Sequence, residues 1–131
     1  MLRVVIIDAN AISRNLLTSV LVTGGYDVVG DSNTSPAGMT GMTKLSPQIV
    51  CIGTGDAPNN GMDLLETVRS MFPKSLVFLV SASMDATTVQ GAIQRGIHGF
   101  IIKPFNAVTV LTTIRNAVIK LAKQQSAKPA A

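Results

Sequence analysis

Apolar residues fall in two kinds of block along this chain. Continuous runs such as Val4-Val5-Ile6-Ile7, Ile49-Val50-Cys51-Ile52 and Leu76-Val77-Phe78-Leu79-Val80 are short, rich in β-branched residues and closed by Asp, Gly or Ser, the pattern of strands buried on both faces. Between them apolar positions recur at helical spacing: Ile12, Leu16, Leu17, Val20 and Leu21; then Met62, Leu64, Leu65, Val68 and Met71; then Val89, Ala92 and Ile93. Gly24-Gly25 and Gly96 stop two of these helices, Ser35-Pro36 opens another, and Pro73 ends the one before it. The pattern predicts a first strand over 3–7, a shorter second over 26–30, a central third over 46–52, a fourth over 76–80 and a fifth over 99–102. A long last helix is expected from Asn106 to about Lys123.

Strands alternating with helices specify a parallel sheet covered on both faces, since right-handed crossovers place the helices there. Periodicity alone leaves the strand order open. In such sheets chemistry sits outside the carboxyl ends of the strands, and the central strand ends there at Gly53, which has no side chain.

Composition narrows the function. The 131 residues, 47% of them hydrophobic, suit one domain, expected over positions 1–123, with 124–131 as a small, polar, disordered tail. No apolar block approaches the ~20 residues of a membrane span, and Asp8 interrupts the N-terminal run before it reaches signal-peptide length, so a cytoplasmic protein is expected. The net charge of +4 is modest, no Trp is present and Tyr26 is the one Tyr, which argues against nucleic-acid binding. Cys51, in the central run, reads as a small core hydrophobe. His98, without ligand-type neighbours, reads as a surface loop histidine rather than a metal ligand.

Four separated features occur in order: Ile6-Ile7-Asp8 ending the first strand, the loop Gly53 to Gly61, Val80-Ser81-Ala82 ending the fourth strand, and Lys103-Pro104-Phe105 ending the fifth. Together they resemble the CheY-like receiver domain of two-component response regulators, over nearly the whole chain. The resemblance implies a flavodoxin-like, doubly wound α/β fold with a five-stranded parallel sheet in the order 2-1-3-4-5, and a cis Lys103-Pro104 bond.

In that family an aspartate ending the third strand receives a phosphoryl group from a histidine kinase, and acidic residues after the first strand help to hold Mg²⁺. A carboxylate attacking a phosphoryl group needs a cation, because two anions must meet. By resemblance Ser81 and Lys103 match the hydroxyl and the ammonium that contact the phosphoryl oxygens, and Ser81 and Phe100 match the pair that relays the switch. Asp8 matches the first carboxylate. Ala9 stands where the second would be, and Gly53 stands in place of the phosphoacceptor.

This departure implies a degenerate receiver that is not an enzyme, with weak or absent Mg²⁺ binding and Asp8 as the one residual ligand. Asp8 and Lys103 are expected to form an ion pair across the empty pocket. Asp56 is the alternative phosphoacceptor, disfavoured because Gly61 keeps the family's loop spacing when Gly53 is aligned with the acceptor. A further alternative is a flavin or nucleotide binder using Ser32 to Ser35 or Ser81 to Ser83, although neither forms a glycine-rich cradle.

With no room for an output domain, the chain reads as a stand-alone signalling module whose partner is a protein, either a histidine kinase or a downstream effector. The fifth helix carries Thr109, Thr112, Thr113 and Asn116, and the fourth is charged only at Asp85 and Arg95. Interface cores are depleted of charge, so a partner or homodimer face is expected across the fourth helix, fifth strand and fifth helix.

Overall fold

The β-branched runs form the strands β1 (Arg3–Asp8), β2 (Asp27–Ser32), β3 (Ile49–Gly53), β4 (Leu76–Ser81) and β5 (Gly99–Ile102) of one parallel sheet, ordered β2-β1-β3-β4-β5. The helices between and after them are α1 (Ala11–Thr23), α2 (Pro36–Thr43), α3 (Met62–Met71), α4 (Ala86–Gln94) and α5 (Ala107–Ala127). This computed structural model describes residues 2–55, 61–82 and 85–127, with side chains through 123. Asp56 and Ser83 lie outside the described residues.

Alternation along the strands divides the interior into two layers. Val5, Ile7, Val50, Ile52, Val77 and Leu79 pack with residues of α2, α3 and α4. Val4, Ile6, Ile49, Cys51, Phe78 and Val80 pack on the opposite face with α1 and α5. A strand that buries both rows of side chains must be apolar throughout, which is why these runs are continuous. Each such side chain contributes about 1.5–3 kcal/mol by leaving water, so the central strands dominate the stability of the fold.

Local chemistry sets the helix boundaries. Gly25 and Gly96 take left-handed φ values of +90° and +84°. Tyr26 and Ile97 then donate their N–H groups back to Leu21 and Ala92, closing the last turns of α1 and α4. Ser35 caps α2 by accepting from Gly38 N, with Pro36 in the first turn.

Two expected boundaries are corrected, and the burial of the helical stripes is added. β3 begins at Ile49 rather than Ser46, because Ser46 has a positive φ of 47° and Pro47 lacks an N–H for the ladder. Its last residue is Gly53 itself. α5 continues through Ala127, four residues beyond Lys123, since nothing in Gln124-Gln125-Ser126-Ala127 breaks a helix. In α1 only Leu17 and Leu21 are buried, while Ile12 and Leu16 face outward. In α4 the buried positions are Thr88 and Ala92, and Ile93 is exposed.

Candidate functional site

Parallel pairing places Asp8 directly beside Gly53 at the carboxyl ends of β1 and β3. Asp8 is 3% exposed. Its Oδ1 accepts from Asn10 N at 2.8 Å, and its Oδ2 faces Lys103 Nζ at 3.3 Å. Arg14, one turn into α1, donates to the Asp8 main-chain oxygen at 2.6 Å, and its Nε lies 3.4 Å from Asp31 Oδ2 on β2. Asn10 and Arg14 escaped the sequence reading. Asn10 is also the N-cap of α1, its side chain accepting from Ile12 N and Ser13 N, so an Asp followed two residues later by a capping Asn at a strand end was the available signal.

The Lys103 side chain is 22% exposed, whereas the Asp8 side chain is almost fully enclosed. At 3.3 Å and an effective dielectric of ~20, their attraction is about 5 kcal/mol, against a desolvation cost of several kcal/mol for the buried carboxylate. The two terms nearly offset, so the pair neutralises the pocket more than it stabilises the fold. Removing one partner would leave the other uncompensated.

Gly53 ends β3 beside Asp8 and brings no side chain to the pocket. A Cβ built at position 53 would overlap the Asp8 carboxylate, with Oδ2 closest. The volume that a side chain on β3 would use is taken by the Asp8 side chain, held there by Lys103 and Asn10. Asp8, Gly53 and Lys103 are thus brought together, and Ala9 follows on the exposed turn.

Ser81 ends β4 opposite Ile102, half-buried, and its carbonyl accepts from Lys103 N at 3.0 Å, tying the lysine backbone to the neighbouring strand. The Lys103-Pro104 peptide is cis. Phe100 is half-buried against the layer shared with α2, α3 and α4. Asp56 lies outside the described residues, so its position relative to the pocket is not part of this geometry.

The receiver-type site implies a magnesium ion, and the described residues do not fit one. Mg²⁺ requires near-octahedral oxygen coordination. Among the described residues the pocket offers one carboxylate, with an ammonium already against it, and Ala9 and Gly53 contribute no side-chain oxygen. Among the described residues no cluster of three or more His, Cys, Asp or Glu could hold a metal.

Beyond the pocket, α4, β5 and α5 expose Ile93 (57%), Ile102 (55%) and Val108 (76%). Thr109, Thr112 and Asn116 are also exposed, and Thr113 is half-buried against Gly99. Cys51 and His98 carry shifted acidities. Cys51 is completely buried, and burial pushes its thiol up to about 12, leaving it un-ionised and inert at neutral pH. His98 is more than a surface residue: its Nδ1 accepts from Val77 N at 3.0 Å, splicing the start of β5 to β4. Burial and then the nearby Arg69 cation hold its pKa below the usual histidine value.

Comparison with known proteins agrees with this architecture. Chemotaxis protein CheY of Thermotoga maritima is 28% identical over 112 residues, covering 86% of this chain and 93% of that protein. The signal receiver domain of the response regulator NarL of Mycobacterium tuberculosis superposes with a TM-score of 0.73 at 27% identity, over 93% of this chain and 96% of that one. Chemotaxis protein CheY4 of Vibrio cholerae shares the fold, with a TM-score of 0.77 at 19% identity over 89% and 98% of the two chains. Among the described residues no helix is long and apolar enough to cross a membrane. The model of the response regulator receiver domain matches residues 4–115, and with that the chain belongs to the CheY-like receiver family of two-component signalling.

Proposed function

We propose that this receiver works by protein contact, as a cytoplasmic, non-enzymatic pseudo-receiver that takes no phosphoryl group at the end of β3 and binds Mg²⁺ weakly or not at all. The observation carrying this reading is the Asp8 carboxylate lying in the volume that a side chain at position 53 would need, with Lys103 on its far side. A missing nucleophile cannot be replaced by the groups that remain, because Lys103 alone performs no phosphoryl chemistry. The ion pair puts a fixed protein cation where phosphorylated relatives would gather charge, and the domain rests in one state set by its own side chains or by a partner.

The readout surface in this proposal is the low-charge face of α4, β5 and α5, where Ile93, Ile102 and Val108 are exposed beside threonines. A kinase, a downstream effector or a second copy of this chain would cover it. Incubation with acetyl phosphate and Mg²⁺, followed by intact-mass measurement, tests the first part, and no mass gain is expected. Gain of one phosphoryl group, abolished by Asp56→Asn, would overturn it in favour of phosphorylation at Asp56.

A further inference from the structure

The parallel topology sorts charge between the two ends of the sheet. At the amino ends of the strands, where α1 to α5 finish, stand Arg3, Lys44, Arg69, Lys74, Lys120 and Lys123. Among the described residues none of the six has a carboxylate within ion-pair distance. Arg3 and Arg69 donate instead to the main-chain oxygens of Ser46 and Ser75, and the one pair near this end joins Arg95 to Glu66. Asp27 is the other carboxylate at this end.

Helix termini explain part of the accumulation. Five helix C-termini carry roughly half a negative charge each, about −2.5 in total, and favour cations nearby. Six uncompensated cations against Asp27 and those dipoles still leave the floor positive.

A cavity of about 180 Å³ opens in this floor between α5 and the starts of β4 and β5, walled by Leu76, Ile97, Ala117 and Leu121 and rimmed by His98 and Lys120. Because His98 Nδ1 accepts from Val77 N, the neutral ring carries its proton on Nε2 and offers a donor beside the Lys120 ammonium. The larger groove between α2 and α3, about 650 Å³, is lined by Met39, Leu64 and Met71 with one carboxylate, Asp63, and has no comparable charge to define an occupant.

We infer that the amino-end floor is a second docking surface, separate from the α4–β5–α5 face, for an acidic protein segment that places one aliphatic side chain in the Leu76–Ile97–Leu121 cavity and its carboxylates on Lys120, Lys123 and His98. The apolar walls select a side chain, and the cations around them select its neighbours. Nucleic acid fits less well, because the cavity presents no Phe, Tyr or Trp face for a base to stack on and the one ring at its rim, His98, is tied to Val77 N. A lipid headgroup would use the charge but leave the apolar walls without a function.

The test is titration of the ¹⁵N-labelled chain with a capped peptide in which one leucine is flanked by glutamates. Amide shifts are expected at Ser75, Leu76, Ile97, His98 and Ala117 to Leu121. Affinity should fall roughly tenfold or more when the leucine is replaced by glycine, and by a similar factor in Lys120→Glu or Lys123→Glu. It should also weaken with salt, while Thr112→Glu, on the outer face of α5, binds as the parent does. No shifts at millimolar peptide, equal binding of the glycine peptide, shifts confined to α4–β5–α5, or tighter binding to phosphatidylglycerol vesicles or duplex DNA at the same salt would each overturn the assignment.

Discussion

The carboxyl and amino ends of the sheet treat charge in opposite ways. At the carboxyl end, Asp8 is enclosed and paired with Lys103, and the exposed Asp31 is paired with Arg14. At the amino end most cations project from strand starts and helix ends without an acidic partner among the described residues. In the proposed reading the pocket has settled its electrostatics internally, through Lys103 on Asp8, and has little left to offer a ligand. The floor keeps its charge available, so it retains the capacity to attract something outside the molecule.

The contrast can be broken most severely at position 53. Gly53→Asp places a second carboxylate where the Asp8 side chain already lies, combining overlap with like-charge repulsion, and should destabilise the domain by about 3 kcal/mol in urea unfolding. Adding Asp8→Ala should recover more than half of that loss, because the volume and the charge are released together. Additive losses in the double variant would show that Asp8 does not fill the space.

A smaller effect separates the two ends by pH. The folded pKa of His98 lies below the ordinary value near 6.5, so its contribution is complete above pH ~6.5, where the ring is neutral in folded and unfolded chains alike. As pH falls from there towards the folded value, the unfolded chain takes up the proton first and stability declines. Urea midpoints measured between pH 7.5 and 5.5 should show this decline, and His98→Asn, which keeps an acceptor for Val77 N, should flatten it. An unchanged slope in the variant would assign the decline to other groups.

The smallest effect belongs to the floor. Lys44→Ala and Lys74→Ala remove exposed cations that make no ion pair among the described residues, and each should change stability by no more than about 0.5 kcal/mol in either direction. A loss several times larger in either variant would show that the floor charge supports the fold itself.

Much of this architecture was legible in the sequence, for identifiable reasons. Continuous β-branched runs cannot be half-exposed strands, so β1, β3 and β4 announced a sheet buried on both faces. Gly25, Gly96 and Ser35-Pro36 marked helix ends through backbone chemistry that acts locally. Ile12, Leu16 and Ile93 marked their helices correctly but stay exposed, because periodicity identifies an apolar stripe without saying how much of it another element covers. The start of β3 was misjudged because an apolar run does not reveal that Ser46 turns through positive φ. In the pocket, Ala9 and Gly53 could be read directly, and the expected meeting of Asp8 with Lys103 is found across the strand ends. That Asp8 would also occupy the side-chain volume at position 53 depends on the register of two strands more than forty residues apart, which no local pattern encodes.

Cys51 gives the central strand a built-in reporter. It is the only sulfhydryl in the chain, it is wholly enclosed, and it stays un-ionised at neutral pH. An alkylating reagent can reach it only when the sheet parts around β3, so the rate of labelling counts those openings directly, and a bound protein that holds the sheet shut would slow the reaction without touching the sulfur.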